Sequence, residues 1–542
     1  MRKKLYALMA SILALTVGFS AYGCGAPDDD VVIDPSKTQV YVSVFNGGFG
    51  IDWLNEAAKR FNDSNGDAQV IISPNKDIYQ SQIAPAIKSG VSTNDIFITA
   101  QASCKDLGIQ GYLEDLSDIW AADVDGNGKT VEQKMIDADL LKKVYQTATG
   151  TWGLPHSDAM QGFVYDHTIF KEKGFLMTES DGTTLTAGKD GKFGTYDDGQ
   201  PVNETEWEEM INKMVADGTY PFIWTGMYAS DYLRTMSEAL LAQYDGLDNY
   251  KISFSYDGVY TKEDNTTETI TPATGYKTIK TPAKKRVMDF IYKYLVENSA
   301  YYHPSSKQGT SHTEAQSNFI LGFKRVPANP QSGMLYEGVW WENESRAIFN
   351  SVENRESNGA EYKYGTRDYR YMLFPNLAGQ RGANGDGTGS VLGISESGTI
   401  FMKKTQDAKK REYAKAFIKY LASDEVSRLF TTYAGGLRPY NYELTDADKA
   451  NMTVFAKNAY AVYSDLENIT VIRTEPLQHL SEMNYFTTPP VARWGNKTHG
   501  QQFTSCYVAV NNYSPDECYA GMDAYANETY WNPIYQQYLA LQ

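Results

Sequence analysis

A segment that begins at Asp123 carries oxygen-bearing side chains at the spacing of a calcium-binding loop. Asp123, Asp125 and Asn127 stand at positions one, three and five of that pattern, and Gly128 stands at position six, where such loops turn sharply. Position twelve, which normally supplies a bidentate glutamate, is Lys134. The spacing predicts a structural calcium ion if a carboxylate from elsewhere replaces that glutamate. Otherwise the segment is an acidic turn, and no cofactor is required.

Aromatic side chains are unusually frequent and suggest a second kind of chemistry. They make up 13% of the residues, with 40 Tyr and 9 Trp. A flat ring with a polar group suits the apolar C–H face of a sugar, although tyrosines also cover ordinary cores and surfaces. Trp340 is the foremost candidate, because it ends a predicted buried strand beside Gly338. Trp341 would point the opposite way, so we expect one of the two tryptophans to be in the core.

Polar and aromatic residues also follow several predicted strands. Asn46 and Phe49 lie at the first strand-to-helix turn, Gln101 follows the third strand, and Asp158 follows Pro155. In parallel α/β sheets, ligands bind outside the carboxyl ends of the strands. We therefore predict that these residues border a ligand site, where Asn46, Gln101 and Asp158 would hydrogen-bond ligand hydroxyls. For Gln101 the alternative is a helix cap.

The elements that would position these residues alternate between strand and helix. Val40–Phe45, Val70–Ser73 and Asp95–Thr99 are rich in β-branched and aromatic residues and predict strands. Between them, the apolar spacing predicts a helix beginning near Asp52 and a short helix over Ile83–Lys88. This β-α-β-α-β order predicts an α/β protein with a parallel, doubly wound sheet. The same alternation recurs later, and the chain after about residue 445 is helix-rich.

The N-terminal residues have the pattern of a secretory signal. A basic start precedes an apolar, uncharged run over residues 5–20, which is short for a membrane span. Residues 21–24 resemble the lipobox of bacterial lipoproteins, whose cysteine is lipidated and becomes the mature N-terminus. We expect residues 1–23 to be a signal peptide, Cys24 to carry a lipid anchor and residues 24–37 to form a solvated tether. The alternative is an ordinary signal with an incidental cysteine.

Charge and residue usage argue against several classes of function. The formal net charge is −17, and removing the signal with its three positive charges makes it about −20, whereas nucleic-acid binding needs basic patches. The six histidines form no ligand-like cluster in sequence, which argues against a transition-metal carrier. No nucleophile motif, phosphate loop or cofactor fingerprint stands out. Cys506 and Cys518 could pair in an exported chain, and free buried thiols are the alternative.

Several ordered segments resemble the family-one extracellular solute-binding proteins, and together they cover the chain after about residue 37. The departure from the family pattern is Asp166, where asparagine is usual. The similar segments lie at residues 53–56, 94–97, 111–116, 152–155, 163–166, 205–209, 333–340, 397–400 and 514–517.

The resemblance implies a two-lobed periplasmic-binding-protein type II (Venus flytrap) fold. Lobe 1 would comprise residues 38–157 and 389–432, and lobe 2 would comprise residues 158–388 and 433–542. A carbohydrate would lie between the lobes and be trapped by hinge closure. The protein would be a monomer, anchored by lipid to the outer face of the cell membrane, which hands its ligand to the permease subunits of an ABC importer. The many rings favour an oligosaccharide, because extra rings extend a stacking platform.

The resemblance also assigns candidate contacts. Trp340 falls on the strand whose closing tryptophan contacts sugar in the family. For each further residue, packing in the core is the alternative. The further contacts that the resemblance implies are Trp224, Tyr228, Asp231, Tyr232 and Trp494.

Two other classes of protein remain open. A secreted glycoside hydrolase would need two opposed carboxylates, and no segment presents a recognisable acid and nucleophile. A peptide-binding lipoprotein of the same architecture would differ only in its ligand. We therefore expect a binding protein without catalysis.

Overall fold

The computed structural model describes residues 33–75, 82–100, 104–322, 330–355, 359–383, 385–487, 494–495, 503 and 505–542. Cys24, the signal peptide, most of the tether and Gln101 lie outside these residues, so the predictions made for them stay predictions. Within the described part of the chain, no helix is long and apolar enough to cross a membrane.

One large mixed sheet organises the molecule. Its strand order is β2-β1-β3-β12-β6-β10-β7, with β11 beside β6 and β13 beside β12, and two short hairpins, β4-β5 and β8-β9, lie apart. The strands are β1 Thr38–Phe45, β2 Ala68–Asn75, β3 Ile96–Thr99, β4 Gln146–Thr147, β5 Gly150–Thr151, β6 Leu154–Asp166, β7 Thr219–Ile223, β8 Gly258–Thr261, β9 Thr267–Ile270, β10 Gln331–Gly338, β11 Tyr369–Met372, β12 Ser390–Met402 and β13 Ile469–Arg473.

The helices cover both faces of this sheet. They are α1 Asp52–Ser64, α2 Ile83–Lys88, α3 Lys105–Ile109, α4 Ser117–Trp120, α5 Val131–Lys134, α6 Ala138–Tyr145, α7 His167–Glu172, α8 Glu204–Ala216, α9 Ala229–Asp245, α10 Leu247–Ser255, α11 Pro282–Tyr292, α12 His312–Gly322, α13 Trp341–Glu344, α14 Arg346–Arg355, α15 Ala408–Leu421, α16 Asp424–Ala434, α17 Asp446–Asn451, α18 Val454–Ser464, α19 Thr474–Leu477, α20 Cys506–Asn512, α21 Pro515–Gly521 and α22 Glu528–Leu539.

The predicted β-α-β-α-β start is confirmed. Strand β1 pairs in parallel with β2 and with β3, and its alternate residues Val40, Val42 and Val44 are buried. Helix α1 buries the predicted apolar stripe, including Leu54 and Phe61. Its first residue is Asp52, as the sequence predicts, and no side chain among the described residues caps its N-terminus.

Strands β6 and β12 carry the chain between the two lobes. Each has 13 residues, and they pair with each other in antiparallel fashion. On one side β12 pairs with β3, and on the other β6 pairs with β10 and β11. Every residue of β6 is buried. Because these two strands are long and shared, both lobes are fixed to one continuous sheet.

Separate hydrophobic cores define the lobes. Lobe 1 is built around β1, β2 and β3 and buries Phe97, Phe401 and Phe417 in one cluster. Lobe 2 is built around β7, β10 and β11 and holds two further large clusters and two small ones. Tyr440 and Leu444 belong to the lobe 1 cluster. The returning chain therefore still packs against lobe 1 beyond residue 432, the boundary that the sequence predicts.

Cys506 and Cys518 are free, buried thiols in the structure, as is Cys104. The alternative without a disulfide is therefore the one observed. Burial raises the pKa of Cys506 well above its ordinary value, because the apolar surroundings disfavour the thiolate.

Candidate functional site

A cavity of about 560 Å³ lies between the lobes. Lobe 1 contributes the loop after β1, the end of β3 and Phe430 of α16, and lobe 2 contributes the start of α9, His312, Trp340 and Glu344. The middles of β6 and β12 form its floor. This volume lies within the range of roughly 300–1,000 Å³ that is typical of small-molecule sites.

The two floor strands are irregular where they border the cavity. The pairing of β12 with β6 shifts register between Ile394 and Ser397 and again between Ser397 and Thr399. The first shift places an extra residue on β12, and the second places one on β6. Such bulges redirect side chains and are frequent beside binding sites. Here they coincide with residues that line the cavity, Ser395 and Glu396 on β12 and His156 and Ser157 on β6.

Gly398 allows the two bulges to approach each other. A Cβ atom at this position would overlap the hydroxyl of Ser157 and crowd the His156 ring and the carbonyl of Thr99. Any residue with a side chain would therefore push the floor strands apart, which is the close approach for which glycine is required.

His156 forms an apolar part of the floor. Its ring stacks on Trp53, with centroids 5.0 Å apart and an interplanar angle of 26°, and it also contacts Phe430. Burial lowers the pKa of His156 well below its ordinary value, and Arg438 adds to this effect, so the imidazole is neutral. His156 Nδ1 and Gln161 Oε1 are buried and have no hydrogen-bond partner among the described residues. Both residues border the cavity, so a ligand is a candidate partner for each.

Aromatic rings from both lobes form one wall. Trp340 meets Phe49 at a centroid distance of 6.0 Å and Tyr232 at 6.4 Å, both edge to face. Tyr228 lies against His312 at 5.8 Å. Burial, together with the nearby Glu337, raises the pKa of Tyr232 above its ordinary value, so its hydroxyl is neutral. Edge-to-face contacts fix the rings relative to one another and leave faces available for another molecule.

Charged groups are concentrated on the lobe 2 side. Asp231 and Arg234 extend from α9, and His312 Nε2 lies 3.4 Å from Glu344 Oε1, which raises the pKa of His312. Glu396 stands on the β12 bulge. Its side chain is exposed to the cavity but enclosed by the cavity walls, and this desolvation and the charge of Glu475 raise its pKa to about 7, although Arg234 opposes this shift.

Half of the residues predicted from the sequence meet in this cavity. Trp340, Phe49, Tyr228, Asp231 and Tyr232 all line it. Trp341, by contrast, is fully buried in a lobe 2 core, so one of the two tryptophans is in the core as expected, although β10 ends at Gly338 and Trp341 begins α13.

Trp224 and Trp494 do not reach the cavity. Trp224 is fully buried and packs against Tyr302 and Tyr507 in lobe 2. Trp494 is 1% exposed, and its Nε1 donates to Glu238 at 3.1 Å. Both therefore occupy the core, which was the alternative to ligand contact for each of them.

Asp158 is also committed to the protein interior. It is 1% exposed, accepts from Arg473 Nη2 at 2.6 Å and Nε at 2.9 Å, and accepts from the Tyr463 hydroxyl at 2.7 Å. This ion pair holds the carboxylate in the interior, and Asp158 does not line the cavity, so the structure gives no support to the expected hydroxyl contact. Asn46 lies beside the cavity residue Phe45, and its backbone N–H donates to Asn75.

Several cavity residues were missed by the sequence reading. They include residues of the floor strands, whose bulges depend on the partner strand and cannot be read from one segment. Gly398 was the available signal, because a glycine inside a strand pattern indicates a bulge or a close approach. The missed residues are Trp53, His156, Gln161, Arg234, Glu344, Glu396 and Phe430.

The loop at Asp123 does not fit a calcium ion. Lys134, at position twelve, places its ammonium against Asp125, 2.7 Å from Asp424 and 3.1 Å from the carbonyl of Ala422. Both carboxylate oxygens of Asp123 accept backbone N–H groups of the loop. Across the described ranges, no group of three or more His, Cys, Asp or Glu side chains could hold a metal. The charge that an ion would supply is thus provided by the lysine.

Comparisons with known proteins agree with this architecture. A family model described as bacterial extracellular solute-binding protein matches residues 56–458. A chitin oligosaccharide binding protein superposes with a TM-score of 0.54 at 14% identity, covering 92% of this chain and 100% of the other. The GacH receptor of Streptomyces glaucescens, solved with and without acarbose, gives 0.52 at 14%, covering 93% and 99%. RafE in complex with raffinose gives 0.51 at 14%, covering 90% and 100%.

No curated protein sequence matches the chain significantly. At 14% identity the solved structures establish the fold, and the two-lobed α/β architecture predicted from the sequence is confirmed.

Proposed function

Because the chain belongs to the bacterial extracellular solute-binding proteins, we propose that it captures a carbohydrate between its lobes and delivers it to an ABC importer. The ligand is an oligosaccharide, and the protein binds it without chemical change. Nothing in the proposal needs a cofactor.

The composition of the cavity carries this proposal. Aromatic rings come from both lobes, Phe49 from lobe 1 and Trp340, Tyr228 and Tyr232 from lobe 2. Rings offer apolar faces to the C–H groups of a sugar, and the carboxylates and Arg234 beside them offer acceptors and donors to its hydroxyls. A peptide ligand would instead require groups that pair with a repeating backbone, and no exposed strand edge borders the cavity among the described strands.

The structural neighbours support the same ligand class. They include a chitin oligosaccharide binding protein and structures in complex with raffinose and with acarbose, each a sugar of more than one ring. Both lobes line the cavity of this protein, so an elongated glycan can contact both at once. Such a ligand favours closure because it binds both lobes better when they are together.

Export and anchoring complete the proposal. The signal pattern of residues 1–23 and the lipid anchor at Cys24 would hold the protein at the outer face of the cell membrane. The acidic tether up to residue 37 would let the lobes search for ligand near the membrane. The partners would then be the permease subunits, which receive the glycan when the lobes open.

The test is titration calorimetry of the purified protein against plant, starch, chitin and host oligosaccharides. Saturable binding of one glycan, recovered intact by chromatography, is the expected result. Recovery of shortened glycan would replace the proposal with a hydrolase. A panel without any binding would argue for a ligand that is not a sugar.

A further inference from the structure

Glu396 is a carboxyl group that the protein places in the cavity without a partner. It sits on the β12 bulge, lines the cavity and remains exposed to solvent molecules there. Among the described residues, no side chain or backbone group hydrogen-bonds or ion-pairs with it. Glu344, another carboxylate of the cavity, differs from Glu396 because it has partners. Its oxygens contact Gln316 Nε2 and His312 Nε2.

The charges around Glu396 are mostly of its own sign. Glu475 of α19 and Asp231 of α9 face it, and Arg234 of α9 is the one cation acting on it among the described residues. Further along the cavity, Glu344 is a third carboxylate. In a cavity with low-dielectric walls, such a set of acids repels an additional negative charge.

This inference rests on the proposed function and concerns which glycans the cavity accepts. We propose that Glu396 is a specificity-determining residue, which accepts hydrogen bonds from the hydroxyls of a neutral sugar unit and rejects a unit that carries a carboxylate. An ionised carboxylate is acceptor-only, with room for about four hydrogen bonds, so two neighbouring hydroxyls can donate to it. A uronate in the same place would put its carboxylate beside that of Glu396. The two negative charges would repel each other, because no proton lies between them.

Arg234 does not remove this selectivity. Among the described residues that line the cavity, it is outnumbered by three carboxylates, Asp231, Glu344 and Glu396. An anionic sugar that bonded to Arg234 would still lie beside Glu396 and Asp231. Rejecting the wrong ligand through an unpaired charge is a common way in which binding sites obtain specificity.

The experiment compares matched neutral and uronate glycans by calorimetry at pH 8. The probes are xylotriose, cellotriose and galactotriose against glucuronic-acid-substituted xylotriose, cellouronate trimer and trigalacturonate. We expect the wild-type protein to bind a neutral member at least tenfold more tightly than its uronate counterpart. Glu396→Gln should weaken the neutral glycan about tenfold and reduce the preference to less than threefold, whereas Glu412→Gln, at an exposed site on α15, should change neither.

The outcomes separate this inference from the proposed function. Tighter binding of a uronate, or an unchanged preference in a folded Glu396→Gln variant, overturns the charge selection while sugar binding stands. If neither kind of glycan binds, and the wider oligosaccharide panel also gives no binding, both proposals fall.

A second measurement uses the unmodified protein and so does not depend on the folding of a variant. A neutral glycan cannot titrate, so a pH dependence of its Kd reports on the protein. Since the pKa of Glu396 is raised to about 7, the hydroxyl-accepting form is lost as pH falls. Kd should rise by up to tenfold per pH unit below about 7, and a Kd that stays constant from pH 5.5 to 8.5 contradicts the inference.

Discussion

Contacts with two glycines fix the position of Trp340 in the cavity wall. Its ring lies against the backbone of Gly338, at the end of β10, and of Gly48 on the lobe 1 loop. A Cβ atom at either glycine would overlap the ring. Two glycines from different lobes therefore determine where this tryptophan can stand, and its position depends on the lobes being together.

Truncation of Trp340 tests its part in binding. Trp340→Ala removes the largest ring of the wall, so the affinity for the glycan identified by calorimetry should fall at least tenfold, or about 1.4 kcal/mol. Tyr485→Ala, at an aromatic residue that is 64% exposed and outside the cavity, is the control and should bind normally. An unchanged Kd in a folded Trp340→Ala protein would remove this residue from the site.

For Asp158 we expect substitution to affect stability rather than glycan binding. Its ion pair with Arg473 is buried, and loss of one partner from such a pair typically costs about 3–5 kcal/mol. Asp158→Asn should therefore lower the free energy of unfolding, measured with urea, while Kd for the glycan stays within about threefold. A large loss of affinity in a stable variant would restore the ligand contact expected from the sequence. Exposed Asp139→Asn, on α6, is the control.

At the scale of elements, Lys134 joins the loop at Asp123 to α16. It is 2% exposed, and its ammonium bridges Asp125 of the loop and Asp424 at the start of that helix. Asp125 also accepts the backbone N–H of Asp424. The side chain thus neutralises two acids that would otherwise repel each other across two segments far apart in sequence.

Removal of the Lys134 charge should destabilise lobe 1. Lys134→Met keeps much of the apolar stem but leaves Asp125 and Asp424 unpaired, so we expect the free energy of unfolding to fall by about 3 kcal/mol. Lys129→Met, at an exposed lysine of the same loop, should have little effect. Equal urea denaturation midpoints for the two variants would contradict this account.

The sequence predicted elements better than it predicted the site. The helix beginning near Asp52 follows from local spacing and was predicted correctly as α1. The cavity floor depends on how β6 and β12 pair. Glu396 and His156 come together through bulges on both strands, and no single segment contains that information.

At the scale of the whole molecule, the lobes touch beside the cavity. Asn343 Nδ2 donates to the carbonyl of Gly48 at 2.7 Å, and Arg346 lies 3.5 Å from Asp52. Arg346 also donates to Asn343 at 2.7 Å. These contacts join α1 and its preceding loop to α13 and α14, so they favour the closed arrangement of the lobes.

Loss of the Asn343 contact should shift the protein towards an open form. Asn343→Ala removes the hydrogen bond to Gly48, so we expect faster glycan release and a Kd raised about threefold to tenfold. The radius of gyration of the ligand-free protein, from small-angle scattering, should increase. Asn350→Ala, on the exposed side of α14, is the control. The idea fails if release rate and radius both match those of the wild type.

Family resemblance, rather than local pattern, supplied most of the predicted residues that line the cavity. It placed Tyr228, Asp231, Tyr232 and Trp340 at the cavity, but it also assigned Trp224 and Trp494 to the ligand. A tryptophan in a packed core and one in a cavity look alike in sequence. Only the neighbours decide between them, and those come from other parts of the chain.

Lys134, at the twelfth position of the Asp123 loop, affects how the stability of this loop depends on the ions in the medium. An ion-dependent loop loses its order when the surroundings are poor in calcium or rich in chelating acids. A loop whose cation is attached to the chain keeps the same charge at any ionic composition of the medium. The receptor can therefore keep this corner of lobe 1 intact in media that would strip a metal away, at the cost of a fixed site that no ion can regulate.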